Sequence, residues 1–127
     1  MSAGEEATIL VVDDLPSCRR PVARLLKKNG FKPLCAADGA EALAMLDSVR
    51  PAVILLDLDM PGMDGITFLE RLQDDAGRAA VPVIVISGQS SRSPLERARE
   101  LGARDVLVKA HFGPGELLAS IRRCLDA

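Results

Sequence analysis

Residues 52–57 read Ala52-Val53-Ile54-Leu55-Leu56-Asp57, a continuous apolar run closed by an acid. A run this short, rich in branched aliphatics and lacking polar alternation, suits a strand buried on both faces of a parallel sheet. Working outward, Thr8–Val12, Leu34–Ala37, Val83–Ile86 and Val106–Val108 have the same character. Helical spacing fills the gaps between them. It appears at Val22, Leu25 and Leu26, ending at Asn29-Gly30, and from Ala40 to about Val49, with Leu43 and Leu46 on one face. It recurs at Ile66, Leu69 and Leu72, at Leu95, Ala98 and Leu101 up to Gly102, and at Leu117, Leu118, Ile121 and Leu125.

Strands alternating with helices imply right-handed βαβ units feeding one parallel sheet. Pro33 has no ladder donor, which sends the second strand to an edge and favours the order 2-1-3-4-5. The expected fold is therefore α/β, a doubly wound (βα)5 three-layer sandwich of flavodoxin-like topology. One local conflict stands out. Pro21 falls inside the first helical pattern, so that helix is expected either to start late, near Cys18, or to kink. Residues 1–7 read as a disordered or extended lead and 8–127 as one domain, with no linker, repeat or second domain expected.

A chain of 127 residues with 48% apolar content can bury a core without disulfides or a structural metal. No apolar run approaches the roughly 18 residues of a membrane span. The segment Met1–Thr8, with Glu5 and Glu6, lacks a signal-peptide pattern, and the expected location is the cytosol. A net charge of −2 gives no pull toward nucleic acid, and without Trp or Tyr there is little to stack on bases. Cys18, Cys35 and Cys124 are widely spaced and odd in number, and read as reduced, mostly buried small hydrophobes.

The chemistry lies at the strand ends. In an open α/β sheet, sites form at the carboxyl ends of strands near the switch in strand order. The first strand ends in Asp13-Asp14, the third in Asp57, the fourth in Ser87-Gly88 and the fifth in Lys109. Taken singly, each has a plain structural reading: a helix cap, a turn residue before Pro61-Gly62, a loop serine, a solvated lysine. Converging on one rim, the carboxylates would repel one another unless a hard cation, Mg²⁺ or Mn²⁺, sat among them. A carboxylate can act as nucleophile toward phosphorus, and phosphoryl transfer needs neutralised charge and alignment more than acid–base chemistry. Lys109 supplies positive charge, while the Ser87 hydroxyl and the Gly88 amide supply donors for phosphoryl oxygens.

The motifs V-V-D-D at 11–14, L-L-D-L-D-M-P-G-M-D-G at 55–65, V-I-S-G at 85–88 and G-A-R-D-V-L-V-K at 102–109 resemble the receiver domain of two-component response regulators, here of the stand-alone type. The resemblance runs from about Thr8 to Leu125. It implies that Asp57 is the phosphoacceptor and that Asp13 and Asp14 hold Mg²⁺, Asp14 more directly. The backbone carbonyl of Asp59 would be a further ligand, and Ser87, Gly88 and Lys109 would bind the phosphoryl group. It implies a histidine kinase or histidine phosphotransfer protein as donor, and an output protein the sequence does not name. Such a domain is no enzyme beyond catalysing its own phosphorylation and dephosphorylation.

Receivers commonly dock their donor beside the first helix, which here carries Arg19, Arg20, Arg24, Lys27 and Lys28. The fourth helix, fifth strand and fifth helix, with Arg97, Glu100, Asp105 and Arg122, form the face through which such domains can pair as homodimers. His111, the single histidine, reads as an exposed loop residue.

Two positions depart from the family pattern. Val106 stands where receivers usually carry a switching Tyr or Phe, and Ala110 stands where a proline usually follows the lysine. Phosphorylation is expected to survive both, with output running through the 88–94 loop instead of an aromatic rotamer. The Lys109–Ala110 bond is expected to be trans, because no proline lowers the cis penalty. Alternatives are a phosphorylation-independent interaction module and, from the D-x-D at 57–59, a haloacid dehalogenase-like phosphatase. The latter normally places D-x-D on its first strand and carries a cap.

Overall fold

The computed structural model describes residues 7–59, 65–75, 77, 80–88, 92–109 and 112–126. In chain order the elements are β1 (Thr8–Val12), α1 (Pro16–Lys28), β2 (Lys32–Ala36), α2 (Gly39–Met45), β3 (Val53–Asp57), α3 (Gly65–Gln73), β4 (Val83–Ser87), α4 (Arg92–Glu100), β5 (Asp105–Val108) and α5 (Pro114–Asp126). The strands form one parallel sheet in the order β2-β1-β3-β4-β5, with Pro33 on the edge strand opposite Ile9. The doubly wound order expected from Pro33 is the order observed.

Side-chain alternation divides the core between the two faces of the sheet. Leu10, Val12, Ile54, Leu56 and Val85 point to the side covered by α2, α3 and α4, where Ala42, Phe68, Leu69, Leu72 and Ala98 meet them. Ile9, Val11, Val53, Leu55 and Ile84 point the other way, against Leu26 of α1 and Leu117 and Ile121 of α5. Every residue of β3 is buried, which is why its sequence shows no polar alternation.

Of the two outcomes expected for the first helix, the late start is not the one observed. The helix begins at Pro16, earlier than Cys18, and runs through Pro21. Pro16 suits the first turn, where a backbone donor would have no helical partner in any case. Pro21 forfeits the bond to the carbonyl of Ser17, but both residues are exposed, so water can satisfy that carbonyl. The second helix ends at Met45, about a turn short of Val49, although Leu43 and Leu46 still pack on the core. Its start carries a reciprocal cap: Glu41 N–H donates to Asp38 Oδ1 at 2.7 Å, and the Glu41 carboxylate accepts from Ala37 N–H at 2.9 Å.

Gly30 (φ 85°) and Gly102 (φ 99°) end α1 and α4 in the left-handed region, where glycine adopts the turn without a Cβ clash. The cysteines are free, as expected, but not mostly buried. Cys18 and Cys124 are half-buried, and Cys35 is exposed on edge strand β2, where the covering layers thin out. Among the described residues, no helix is long and apolar enough to cross a membrane. Residues 1–6 of the expected 1–7 lead, the Lys109–Ala110 bond, His111 and positions 89–91 of the output loop lie outside the described residues.

Candidate functional site

Parallel register brings the strand ends to one level. Val12 pairs with Leu56, so Asp13 follows β1 beside the Asp57 that closes β3. Asp57 pairs with Ile86, and Ser87 pairs with Val108, which puts Ser87 and Lys109 on the same rim from β4 and β5. Carboxylate oxygens of Asp13, Asp14 and Asp57 lie within 4.8 Å of one another. Asp57 is 3% exposed, Asp13 8% and Ser87 1%. The residues predicted from the sequence therefore meet, with Asp13, Asp57 and Ser87 buried, Asp14 and Lys109 half-buried, and Asp59 and Gly88 exposed.

Hydrogen bonds fix their orientation. Asp57 Oδ1 accepts from the Asp59 N–H at 2.9 Å, and Lys109 Nζ donates to Asp57 Oδ2 at 3.4 Å. Asp13 Oδ1 accepts from the Leu15 N–H at 3.0 Å, and the Arg19 guanidinium donates to the Asp13 carbonyl at 2.7 Å. Arg19 thus turns inward and pins the β1–α1 turn, unlike the outward basic face read from the sequence. Behind Asp57, a Cβ on Gly65 would stand 2.6 Å from Leu58 Cα and 2.9 Å from the Asp57 carbonyl oxygen. Only glycine lets α3 start this close to the backbone that carries Asp57. The sequence marks Arg19 only as part of the basic docking face of the first helix, and Gly65 only as the last residue of the longest matching motif.

Burial pushes the Asp57 carboxyl above the ordinary carboxylate range, against the opposing pull of the Asp59 amide and the Lys109 ammonium. Asp13 and Asp59 add repulsion in the same upward direction. Burial disfavours the Lys109 ammonium, but Asp57 and then Asp13 outweigh it and raise its pKa. The rim thus holds more negative charge than its lysine can offset. An all-oxygen set of buried and half-buried carboxylates fits a small hard cation such as Mg²⁺ or Mn²⁺.

Comparison with known proteins gives the same pattern from several directions. The family model for the response regulator receiver domain matches residues 9–122. Sensory transduction protein RegX3 of Mycobacterium tuberculosis is 37% identical over 118 residues, covering 93% of this chain and 50% of the relative. Protein PilH of Pseudomonas aeruginosa is 34% identical over 103 residues, covering 81% of this chain and 85% of PilH. Among solved structures, chemotaxis protein CheY4 of Vibrio cholerae superposes with a TM-score of 0.88 at 33% identity, covering 95% of this chain and 100% of that one. The chain spans about half the length of RegX3.

Proposed function

The chain belongs to the receiver-domain family of response regulators, and from that membership we propose that Asp57 is the residue on which it accepts its phosphoryl group. The observation that carries the assignment is a buried carboxylate at the end of the central strand, flanked by Asp13 and Asp14 and contacted by Lys109. Asp13, Asp14 and Asp57, with the Asp59 carbonyl, would hold the Mg²⁺. When bound, the ion offsets the negative charge of the carboxylates and of the incoming phosphoryl oxygens.

One Asp57 oxygen attacks phosphorus, and the bond from phosphorus to the donor breaks with its electron pair leaving on the donor. Lys109, Ser87 and the Gly88 amide receive the phosphoryl oxygens. Hydrolysis by water returns the carboxylate and inorganic phosphate, so the domain catalyses only its own modification and release. It is a signalling module of the cytosol, fed by a histidine kinase or histidine phosphotransfer protein and read by an output protein.

The donor's docking place is the apolar groove between α1 and α5, lined by Val22, Leu25, Phe112 and Leu117 and reaching Lys109. Arg24 and Lys28 line the same groove. Pairing of two copies would use the α4–β5–α5 face. There Arg97 bonds Glu70 and Glu100, and Asp105 bonds Arg123. Val106 packs half-buried against the core and has no ring to rotate, so output runs through the segment after β4.

Incubation with acetyl phosphate and Mg²⁺, followed by intact mass, tests the assignment. A transient single phosphoryl adduct is expected, lost in Asp57→Asn and on chelation of the metal. No adduct on the wild type would leave an interaction module. Multiple turnover of varied phosphomonoesters would indicate a phosphatase.

A further inference from the structure

The Gly88 N–H, at the start of the segment after β4, donates to Asp59 Oδ2 at 2.8 Å. This bond joins the ends of β3 and β4, 29 residues apart in sequence. Glycine leaves this place open: a Cβ on residue 88 would stand 3.3 Å from Asp59 Oδ2 and 3.9 Å from Lys109 Cδ. Residue 88 thus lies close to both Asp59 and Lys109, the lysine that reaches Asp57. Asp59 is itself tied to the acceptor, since its own N–H donates to Asp57 Oδ1 at 2.9 Å. The short turn from 57 to 59 thus presents a second anion to a donor of the site.

We infer that Asp59 is a positioning residue whose carboxylate occupies the Gly88 amide in the unphosphorylated protein and is displaced from it by a phosphoryl oxygen. The inference rests on the assignment of Asp57 as phosphoacceptor. A phosphoryl group on Asp57 brings anionic oxygens to the same donors, and one N–H cannot serve two anions at full strength. The dianion also repels the Asp59 carboxylate at this range. Two arrangements follow, with Gly88 held by Asp59 or by the phosphoryl group, and the exchange moves the first residue of the segment after β4. A ligand shifts such an equilibrium only by its differential affinity for the two states. Asp59 is exposed, so its removal leaves the core untouched; it also lifts a repulsion on Asp57, which the neutral Asn lifts equally.

Two measurements test the inference in the full chain. The first is the ¹H–¹⁵N spectrum of Mg²⁺-free protein. The Gly88 amide proton should move upfield and exchange faster in Asp59→Ala than in wild type. The second is titration with beryllofluoride at saturating Mg²⁺. Binding should tighten about tenfold in Asp59→Ala and about threefold in Asp59→Asn, whose neutral amide oxygen still accepts a weaker bond. With beryllofluoride bound, the Gly88 resonance should coincide in all forms.

An unmoved Gly88 amide in metal-free Asp59→Ala, or equal beryllofluoride affinity in all forms, overturns the displacement while leaving the phosphoacceptor reading intact. Equal tightening in Asn and Ala overturns it too, because charge alone would then suffice. Wild-type protein that binds no beryllofluoride refutes the phosphoacceptor reading and the displacement with it. The metal-free comparison then still reports whether Asp59 holds Gly88.

Discussion

Two aspartates placed by the same sheet live in opposite surroundings. Asp57 ends β3 under the company of Asp13 and Asp14, with a single lysine 3.4 Å away, and burial raises its pKa. Asp105 opens β5 and accepts from Ser120 Oγ at 2.6 Å, from the Val106 N–H at 2.9 Å and from Arg123 at 3.0 Å. Its partial burial works against the charge, but those donors outweigh it and the pKa is lowered. A structural carboxylate arrives with its donors already in place. A carboxylate left short of them is poised for something the chain does not itself supply, on the proposed reading a cation and a phosphoryl group.

The largest effect expected on stability tests what supports the poorly compensated end. Gly65→Ala would drive a Cβ into the Asp57–Leu58 backbone and should cost about 3 kcal/mol in urea unfolding, with a reduced phosphoryl yield. A near-neutral result would mean that α3 can retreat without disturbing Asp57. Next, Asp57→Asn should stabilise the Mg²⁺-free protein by about 1–2 kcal/mol, because it removes an under-compensated buried charge. It should also shrink the gain in Tm that Mg²⁺ gives the wild type. Destabilisation by this change would contradict the contrast between the two aspartates.

Smallest is Asp105→Asn. The folded pKa of Asp105 lies below its unfolded value, so its contribution is present above the ordinary carboxylate range and is lost as pH falls through the folded value. The variant should be about 1 kcal/mol less stable than wild type at neutral pH, and the two should converge in acid. A deficit that persists unchanged in acid would assign the loss to packing instead of charge.

Much of this was legible in the sequence. Runs such as Val53–Leu56 announce strands buried on both faces, Pro33 sets the edge, and parallel register then carries Asp13, Asp57, Ser87 and Lys109 to one rim. Contacts between side chains far apart in sequence were not legible. Nothing in the local pattern around Asp59 says that its carboxylate meets the Gly88 amide, and Arg19 reads as one more basic residue on a solvated face until the turn places it on the Asp13 carbonyl. Of the two outcomes that Pro21 allows, the late start does not occur, because the helix turns that position to solvent and continues through it. The exposure of Cys35 was not legible because burial tendency cannot tell an edge strand from a central one.

The most direct test is to locate the phosphoryl group. Borohydride reduction of protein treated with acetyl phosphate and Mg²⁺ converts an aspartyl phosphate to homoserine, which peptide mass mapping then places in the chain. Conversion at Asp57, with none at Asp13, Asp14, Asp59 or Asp105, is the expected result. Conversion at another of these aspartates while Asp57 stays intact would contradict the assignment.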